Sequence, residues 1–347
     1  MGEPRWQEPN LPRPESVANE ATARMLRVPP ELAGQRVDVF LSLVLRGTSR
    51  TRAKRIAKQA AFDTQGARLR PNRRLQAEQH VVLWRVPVDT AEDLDDFETV
   101  FEDDHILVIN KPPGITVHPT ASHYLRTVTK ILESKYPGKY LRLVHRLDRD
   151  TSGILIVAKS PEADRSFKML LEGTLALPPD RDMSIHKTYR TITWGCPKEG
   201  LIEHPMERDA GNPLRVKMRI ASPGTGLHAG TRVRVLQQVA GYALVECDLL
   251  TGRQHQIRVH LSALGTPVVG DRLYGPDERL HAKGADGTLT AADLRRLEMP
   301  RQALHASSYS LPHALSFERL SLNAAMPKDM AEFWEKLVQR AEPLSAT

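Results

Sequence analysis

Apolar positions near the start of the chain recur at the spacing of an amphipathic helix: Val37, Phe40, Leu41, Val44 and Leu45. This spacing places them on one helical face. Thr48 and Ser49 are suited to cap a second helix, and Gly66 is suited to a turn between short strands. A further apolar run at residues 81–84 predicts a closing strand. The pattern predicts a small unit of helices and strands over residues 34–87.

The remainder of the chain is dominated by short apolar runs that predict β-strands. They lie at residues 106–109, 154–158, 187–194, 231–239 and 242–249. Near the end, four apolar residues have a spacing of 0, 3, 4 and 7: Met330, Phe333, Trp334 and Leu337. This spacing predicts a helix that packs on the larger, strand-rich domain.

Composition limits the class of protein. The chain has 347 residues, of which 40% are hydrophobic, and this is enough for a substantial core. The two cysteines, Cys196 and Cys247, exclude a disulfide framework and a cysteine-rich zinc site. No apolar run is long enough to cross a bilayer, and the first residues lack the apolar core of a signal peptide. We therefore expect a cytoplasmic protein without membrane association.

Positive charge is concentrated around the predicted second helix. Residues 46–74 include ten Lys or Arg residues and one acidic residue, a larger surplus than the +7 of the whole chain. Arg50, Arg52, Lys54 and Arg55 all fall on this helix. Such a face is often only solvated, but a basic helix followed by a basic hairpin favours a polyanionic partner, with backbone phosphates as the ligand.

Residues 89–104 have the opposite character, with nine acidic residues. They predict a linker that faces away from phosphate. The chain is accordingly expected to contain a flexible tail (1–30), a small basic domain (34–87), an acidic linker (88–98), a large domain (99–326) and a C-terminal helix with a tail (327–347).

The loop before the apolar run at residues 154–158 carries the clearest candidate chemistry. Arg146 and Arg149 alternate with Asp148 and Asp150 along it. Arginines keep the pKa of a neighbouring carboxyl low and hold its geometry, as a nucleophile or a general base requires. Either aspartate could serve, and the same residues could also form only local ion pairs on a surface turn. The loop alone does not specify a reaction.

Four segments in order resemble the signatures of the RluA-type pseudouridine synthases, which isomerise uridine in ribosomal or transfer RNA. They are VINKPPGITVHP at residues 108–119, HRLDRDTSG at 145–153, HKTYRTITWG at 186–195 and TGRQHQIRVHLSALGTPVVGDRLYG at 251–275. The resemblance implies an α+β fold in which the catalytic domain contains a mixed, mainly antiparallel β-sheet. It also implies enzymatic isomerisation of RNA uridine.

The small basic domain is similar to the α+β RNA-binding domain named for ribosomal protein S4, which often precedes this catalytic family. The chain departs from that pattern at Gln65, where an Asn is usual, and at Glu78-Gln79, where a Gly-Asp pair is common.

The resemblance to the synthases assigns roles to individual residues. It implies that Asp148 is the nucleophile, that Arg258 pairs with it, and that Tyr189 stacks on the uracil and helps to remove the carbon-5 proton. Arg146 would fill the space that a flipped uridine leaves in the RNA stack. Asp150 would order the loop.

Further expectations follow for the surroundings of this site. His145 and Arg253 are expected to contact RNA, and Arg253 is the runner-up for pairing with the catalytic carboxylate. His255 and His260 are five positions apart, which is poor spacing for two ligands on one helical face, and nothing resembles a nucleotide-phosphate loop. We expect no metal and no cofactor.

Large-subunit ribosomal RNA is the first expected substrate, transfer RNA the second, and the protein is expected to be a monomer. Two other classes of function stay open. The Asp148-Arg149-Asp150 string superficially resembles a haloacid-dehalogenase-type phosphatase motif, although the apolar strand should then precede the first aspartate. A non-catalytic ribosome-assembly factor would retain the basic domain, but it would not require Asp148, Tyr189 and Arg258 together.

Overall fold

The computed structural model describes residues 11, 13–18, 21–45, 48, 50–85, 97–118, 126–179, 182–212, 216–286 and 288–341. The chain divides into two compact units, the smaller formed by Met1–Thr90 with Arg208–Lys217 and the larger by Ala91–Glu207 with Met218–Thr347. None of the helices within the described ranges reaches the length and apolarity of a membrane span.

Among the described residues, the smaller unit contains a 3-10 helix (Pro30–Leu32), two α-helices and three strands. The strands and α-helices are β1 (Thr22–Arg27), α1 (Val37–Val44), α2 (Arg50–Ala60), β2 (Ala61–Phe62) and β3 (His80–Arg85). Strand β3 lies between β1 and β2 and is antiparallel to both. The two predicted helices and the predicted closing strand are confirmed.

The core of the smaller unit explains why α2 presents a basic face. Phe40 and Leu41 of α1 are fully buried, as are Ala53 and Ala57 of α2. Because α2 buries alanines at helical spacing, its intervening basic side chains, such as that of Lys54, are exposed.

Strand β1 corrects the expectation that residues 1–30 form a flexible tail. Thr22–Arg27 pairs along its length with β3, and the side chain of Val28 just after it is fully buried. Arginines interrupt the apolar pattern of this short strand, so its sequence signal is weak. Of the predicted tail, residues 1–10, 12, 19 and 20 lie outside the described residues. The predicted helix cap Ser49 also lies outside them.

The larger unit begins earlier than predicted. Phe97 is buried and Glu98 is the first residue of β4, although both were assigned to the acidic linker. The remaining linker residues, 88–96, lie outside the described part of the chain.

The strands of the larger unit are β4 (Glu98–Glu102), β5 (Ile106–Lys111), β6 (Arg142–Leu143), β7 (Ser152–Ala158), β8 (His186–Trp194), β9 (Gly200–Ile202), β10 (Met206–Arg208), β11 (Met218–Ile220), β12 (Thr231–Val239), β13 (Tyr242–Leu249), β14 (Leu304–Pro312) and β15 (Arg319–Asn323). Its helices are α3 (Val128–Lys135), α4 (Pro161–Glu172), α5 (Gln256–Ala263), α6 (Arg279–Asp286), α7 (Ala291–Leu297) and α8 (Lys328–Ala341).

A large sheet organises this unit. Its strand order is β4-β5-β7-β14-β8-β13-β12-β9, with β6 paired to β7 and β15 paired to β14. Strands β7 and β14 are parallel, and the other pairings in the sheet are antiparallel. The predicted α+β class with a mixed, mainly antiparallel sheet is confirmed.

Strand β7 lies in the interior of this sheet. All seven of its residues are buried, which explains its continuous apolar run. Helix α4 follows directly, because Ser160 accepts a hydrogen bond from the Ala163 N–H at 3.1 Å and caps the first turn. Helix α8 buries Met330, Trp334 and Leu337 in the same core, as its spacing predicted.

Gly153 allows β7 and β14 to approach each other. Its φ is +110°, and a Cβ at this position would lie 2.2 Å from the carbonyl oxygen of Ala306. Ala306 is its direct partner in the parallel pairing. Only glycine fits this position, and the fit fixes the loop that leads into β7.

We expect Gly153→Ala to lower the free energy of unfolding by about 3 kcal/mol or more, because it combines an unfavourable φ with a clash against backbone. Gly138→Ala is the matched control, since Gly138 also has a positive φ, of +73°, but open space around it. Its cost should be about 1 kcal/mol. Urea unfolding of both variants measures the difference, and equal losses would show that the close approach to Ala306 is unimportant.

Candidate active site

The loop that carries Asp148 is held by its backbone. The carbonyl of Arg149 accepts hydrogen bonds from Lys111 Nζ at 3.0 Å and from the Gly114 N–H at 2.9 Å. Lys111 is fully buried, and its Nζ also donates to the carbonyls of Pro112 and Ile115. Burial lowers the pKa of Lys111 to about 7. Strand β5 is thereby fastened to the loop.

Residues before β14 hold the same loop from its other end. Arg301 Nη1 donates to the carbonyl of Asp150 at 3.2 Å, and its guanidinium pairs with Asp329 of α8. The side-chain amide of Gln302 donates to Thr151 Oγ1 at 2.9 Å. The loop is therefore fixed on both sides before any substrate binds.

The two candidate aspartates have different environments. Asp148 lines an open pocket, and its Oδ2 accepts a hydrogen bond from Arg258 Nη1 at 2.8 Å. Asp150 is outside the pocket lining, and its carboxylate is bound by the side chain of its neighbour Arg149 at 3.0 Å. The contact expected between Asp148 and Arg258 is present, and the geometry favours Asp148 over Asp150 as the reactive carboxylate.

Arg258 also binds a second carboxylate, which the sequence reasoning missed. Its Nε and Nη2 donate to Asp271 at 2.6 and 2.8 Å, so one edge of the guanidinium is fully occupied. Asp271 is completely buried and accepts further hydrogen bonds from the backbone N–H groups of Leu273 and Tyr274. Because its Nε edge is fixed by Asp271, Arg258 presents only Nη1 to Asp148.

This arrangement keeps Asp148 ionised. Burial raises the pKa of its carboxyl. The charge of His255, which is present only in acid, and the charge and hydrogen bond of Arg258 outweigh burial, so the pKa lies below its ordinary value. Burial lowers the pKa of His255 to about 4. His255 is therefore neutral at neutral pH, and Arg258 is the group that stabilises the carboxylate there.

Tyr189 forms part of the pocket wall on β8. It is 7% exposed, and its hydroxyl lies 2.7 Å from the hydroxyl of Tyr309 on β14, a second residue that the sequence reasoning missed. Burial raises the pKa of Tyr189 to about 12. The phenol is therefore protonated at neutral pH.

His255 is a third unforeseen member of the site. It precedes α5 with a φ of +59°, and its Nδ1 lies 2.8 Å from the hydroxyl of Tyr274. Its Nε2 lies 3.7 Å from Asp148 Oδ1. The guanidinium of Arg258 lies 5.0 Å from the centre of the Tyr274 ring, a cation–π distance.

The remaining predicted residues divide into three groups. Arg146 and Arg253 are exposed and line the pocket, and Arg253 Nε also donates to the carbonyl of His228 at 2.9 Å. His145 is outside the pocket lining, and its Nε2 accepts a hydrogen bond from the Ile156 N–H at 3.1 Å. Burial lowers the pKa of His145 to about 3. These contacts favour a structural role for His145 over the expected contact with RNA.

Arg50, Arg52, Lys54 and Arg55 belong to the smaller unit, whereas the pocket is formed entirely by the larger one.

Within the described ranges, no group of three or more His, Cys, Asp or Glu side chains is arranged to hold a metal ion. His260 illustrates this, because its Nδ1 contacts Thr231 Oγ1 at 2.9 Å and its Nε2 contacts the carbonyl of His204 at 3.1 Å. Both of its ring nitrogens are already satisfied.

Comparison with known proteins identifies the family of the chain. A family model described as RNA pseudouridylate synthase matches residues 105–263. A ribosomal large subunit pseudouridine synthase D from Zymomonas mobilis is 35% identical over 323 residues, covering 89% of this chain and 95% of the relative. The chain belongs to the RNA pseudouridylate synthase family. It is therefore an enzyme that isomerises uridine in RNA.

Other matches agree with this assignment. A synthase of the same name from Pseudomonas aeruginosa is 35% identical over 320 residues, covering 88% of this chain and 93% of the relative. The structure of human RNA pseudouridylate synthase domain containing 4 aligns with a TM-score of 0.51 and 25% identity, over 69% of this synthase and 92% of the human chain. The resemblance to RluA-type synthases is confirmed.

Sequence signals existed for three of the missed residues. Asp271 and Tyr274 lie in the GDRLYG segment that resembles the family, and His255 lies in its GRQHQIR segment, but no role was assigned to them. Tyr309 gives no such signal, since a strand tyrosine is usually a core aromatic. Only the folded sheet shows that it reaches Tyr189.

We expect Asp271→Asn to reduce the free energy of unfolding by about 3 kcal/mol at neutral pH, because it leaves part of a buried guanidinium uncompensated. Burial raises the pKa of Asp271. The charge of Arg258 and the hydrogen bonds that Asp271 accepts lower this pKa by more than burial raises it, so the pKa in the folded protein is below the ordinary value. Its stabilisation is therefore present above about pH 4 and is lost as the pH falls below that point. The difference between wild type and variant should shrink in acid.

Glu133→Gln is the control for this experiment, because Glu133 forms an exposed ion pair with Lys130. Its effect should stay within about 0.5 kcal/mol. Denaturant unfolding at several pH values gives both comparisons. An Asp271 variant as stable as the Glu133 variant at neutral pH would contradict the importance of this buried pair.

Proposed function

We propose that this synthase forms pseudouridine in large-subunit ribosomal RNA, with Asp148 as the catalytic carboxylate. The observation that carries the chemistry is the position of Asp148 on the pocket wall with one oxygen bound to Arg258. The choice of RNA is supported by relatives named ribosomal large subunit pseudouridine synthase D, which align over 88% or more of the chain. Transfer RNA is the alternative outcome of the test below.

The reaction requires a uridine that has left the RNA stack. The enzyme must extrude the target nucleotide to reach its glycosidic bond. Arg146 is exposed beside Asp148, and its planar guanidinium suits the space that the base leaves, since it stacks and donates hydrogen bonds. Arg253 at the pocket edge is suited to bind a backbone phosphate.

Arg258 determines which oxygen of Asp148 reacts. Oδ2 is held by Nη1, which leaves Oδ1 to attack the nucleotide. Once Oδ1 has bonded to the nucleotide, the bond between N1 and the ribose breaks, the uracil turns, and carbon 5 bonds to the ribose in its place. The bond to Oδ1 then breaks, which returns the free carboxylate. The proton on carbon 5 leaves and N1 gains a proton, so the overall reaction is an isomerisation.

Tyr189 is proposed to bind the uracil ring by stacking. Because burial raises its pKa to about 12, a phenolate that takes the carbon-5 proton is unfavourable. Its hydroxyl is also engaged with Tyr309. These properties support a positioning contact with the base over the proton removal that the family resemblance implied.

The smaller unit is proposed to be an S4-like RNA-binding domain. Its two packed helices and the exposed basic residues of α2, including Arg50, Lys54 and Arg55, support this. The described pocket is lined by residues of the larger unit alone, in agreement with the proposal that the enzyme acts as a monomer. The substrate implies that the enzyme acts in the cytoplasm.

The decisive experiment maps pseudouridine by carbodiimide modification and reverse-transcription stops in total RNA from cells with and without this gene. We expect discrete stops in large-subunit ribosomal RNA to disappear on deletion. Wild type and Asp150→Asn should restore them, whereas Asp148→Asn should not, because an amide is a poor nucleophile. Stops lost only from transfer RNA would overturn the proposed substrate, and restoration by Asp148→Asn would overturn the proposed mechanism.

A second test addresses the smaller unit. Arg50→Ala combined with Lys54→Ala should weaken RNA binding and reduce the slope of log affinity against log salt by about 2, since each lost phosphate contact removes about 1. Turnover at saturating RNA should not change. Lys139→Ala, an exposed lysine of the larger unit, is the control. An unchanged salt slope in the double variant would exclude these residues from the RNA interface.

A further inference from the structure

The side chain of His255 is placed between a fixed partner and Asp148. It is only 10% exposed, and it precedes α5 in a left-handed conformation that few residues with a branched or bulky side chain adopt. This backbone conformation directs the ring toward Asp148, where Nε2 faces Oδ1 at 3.7 Å. Arg258 occupies the other oxygen, Oδ2.

The hydrogen bonds of Tyr274 determine which nitrogen of His255 carries the proton. The Tyr274 oxygen accepts a hydrogen bond from the Met218 N–H at 2.9 Å. Its own proton is then directed to the other contact, His255 Nδ1 at 2.8 Å. The opposite arrangement would leave the proton of a buried hydroxyl without an acceptor among these groups. A neutral His255 that accepts at Nδ1 carries its hydrogen on Nε2.

This tautomer makes His255 a donor toward the carboxylate. Burial keeps the ring neutral, because it lowers the pKa of His255 to about 4. The separation of 3.7 Å is longer than a hydrogen bond, and contacts of this kind often tighten when a substrate binds. The exposed amide of Gln254 also approaches Nε2, at 3.5 Å, a distance at which a hydrogen bond contributes little.

We propose that His255 is a positioning residue that donates an Nε2 hydrogen bond to Asp148 Oδ1 when RNA is bound, with Tyr274 fixing the required tautomer. Donors on both oxygens stop rotation of the carboxylate, while a lone pair of Oδ1 stays directed into the pocket. The inference rests on the proposed role of Asp148. It adds a relay from the Tyr274 hydroxyl through the imidazole to the attacking oxygen.

Two substitutions at the same position separate donation from packing. Asn tolerates the left-handed backbone and offers an acceptor near the place of Nδ1, but it has no donor near Nε2. Gln offers an amide donor near the place of Nε2. We expect His255→Asn to lower kcat about 10- to 100-fold with KM unchanged, as expected for the loss of a hydrogen bond to a charged group. His255→Gln should recover most of the lost rate.

Tyr274→Phe tests the relay. It removes the proton that fixes the tautomer but keeps the ring beneath Arg258, and we expect it to lower kcat in the wild-type background. In the His255→Gln background, the same change should have little further effect on kcat, because an amide has no tautomer to fix. Additive losses would overturn the relay.

The assay uses full-length enzyme and large-subunit ribosomal RNA purified from cells that lack the gene, with release of tritium from carbon 5 of labelled uridine as the readout. Thermal unfolding of each variant confirms that folding is intact. If His255→Asn has the same kcat as wild type, or changes only KM, the inference is overturned. The proposed function would still stand in that case, because the wild-type enzyme is active. A wild-type enzyme that releases no tritium would instead overturn the proposed function.

Discussion

The site depends on one buried cation shared between two carboxylates. Arg258 is almost completely buried, and a guanidinium in such a place must be compensated. Asp271 provides that compensation permanently, through two hydrogen bonds on one edge. Because the structural need of Arg258 is met by Asp271, its interaction with Asp148 can change during a reaction without leaving a buried charge alone. Structural and catalytic demands on the arginine are thus assigned to different partners.

The loop around Asp148 has little freedom of its own. Lys111 binds its backbone from β5, and Arg301 binds it from the segment before β14. At Gly153 the loop enters a strand that touches the neighbouring backbone directly. A carboxylate mounted this way is aimed before substrate arrives, so little ordering entropy opposes the reaction. The buried side chains of Lys111 and Arg301 bind the backbone of the loop, whereas the exposed Arg146 and Arg253 line the pocket.

The apolar pattern predicted strands β3, β5, β7, β8, β12 and β13 and helices α1, α2 and α8, because each has a periodic or continuous apolar run. The α+β class was predicted through the resemblance to a family. The sequence predicted the pairing of Asp148 with Arg258 only through the resemblance to a family, since 110 positions separate them and no spacing rule joins them. Asp271 was missed because a charged residue beside glycine is typical of a surface turn. Strand β1 was missed because arginines interrupt a run too short to show alternation. Residues that act through partners distant in sequence leave no local signal.

The order of strands in the large sheet has a consequence for synthesis of the protein. Strand β14 lies between β7 and β8, although it is made long after both. Among the described strands, only β14 joins the β4-β5-β7 half, which follows the loop of Asp148, by backbone pairing to the half that bears Tyr189. Chains are made at about 5–20 residues per second, so β8 is made several seconds before its neighbour β14. The two halves of the large sheet can therefore be joined through backbone pairing only after β14 has been made.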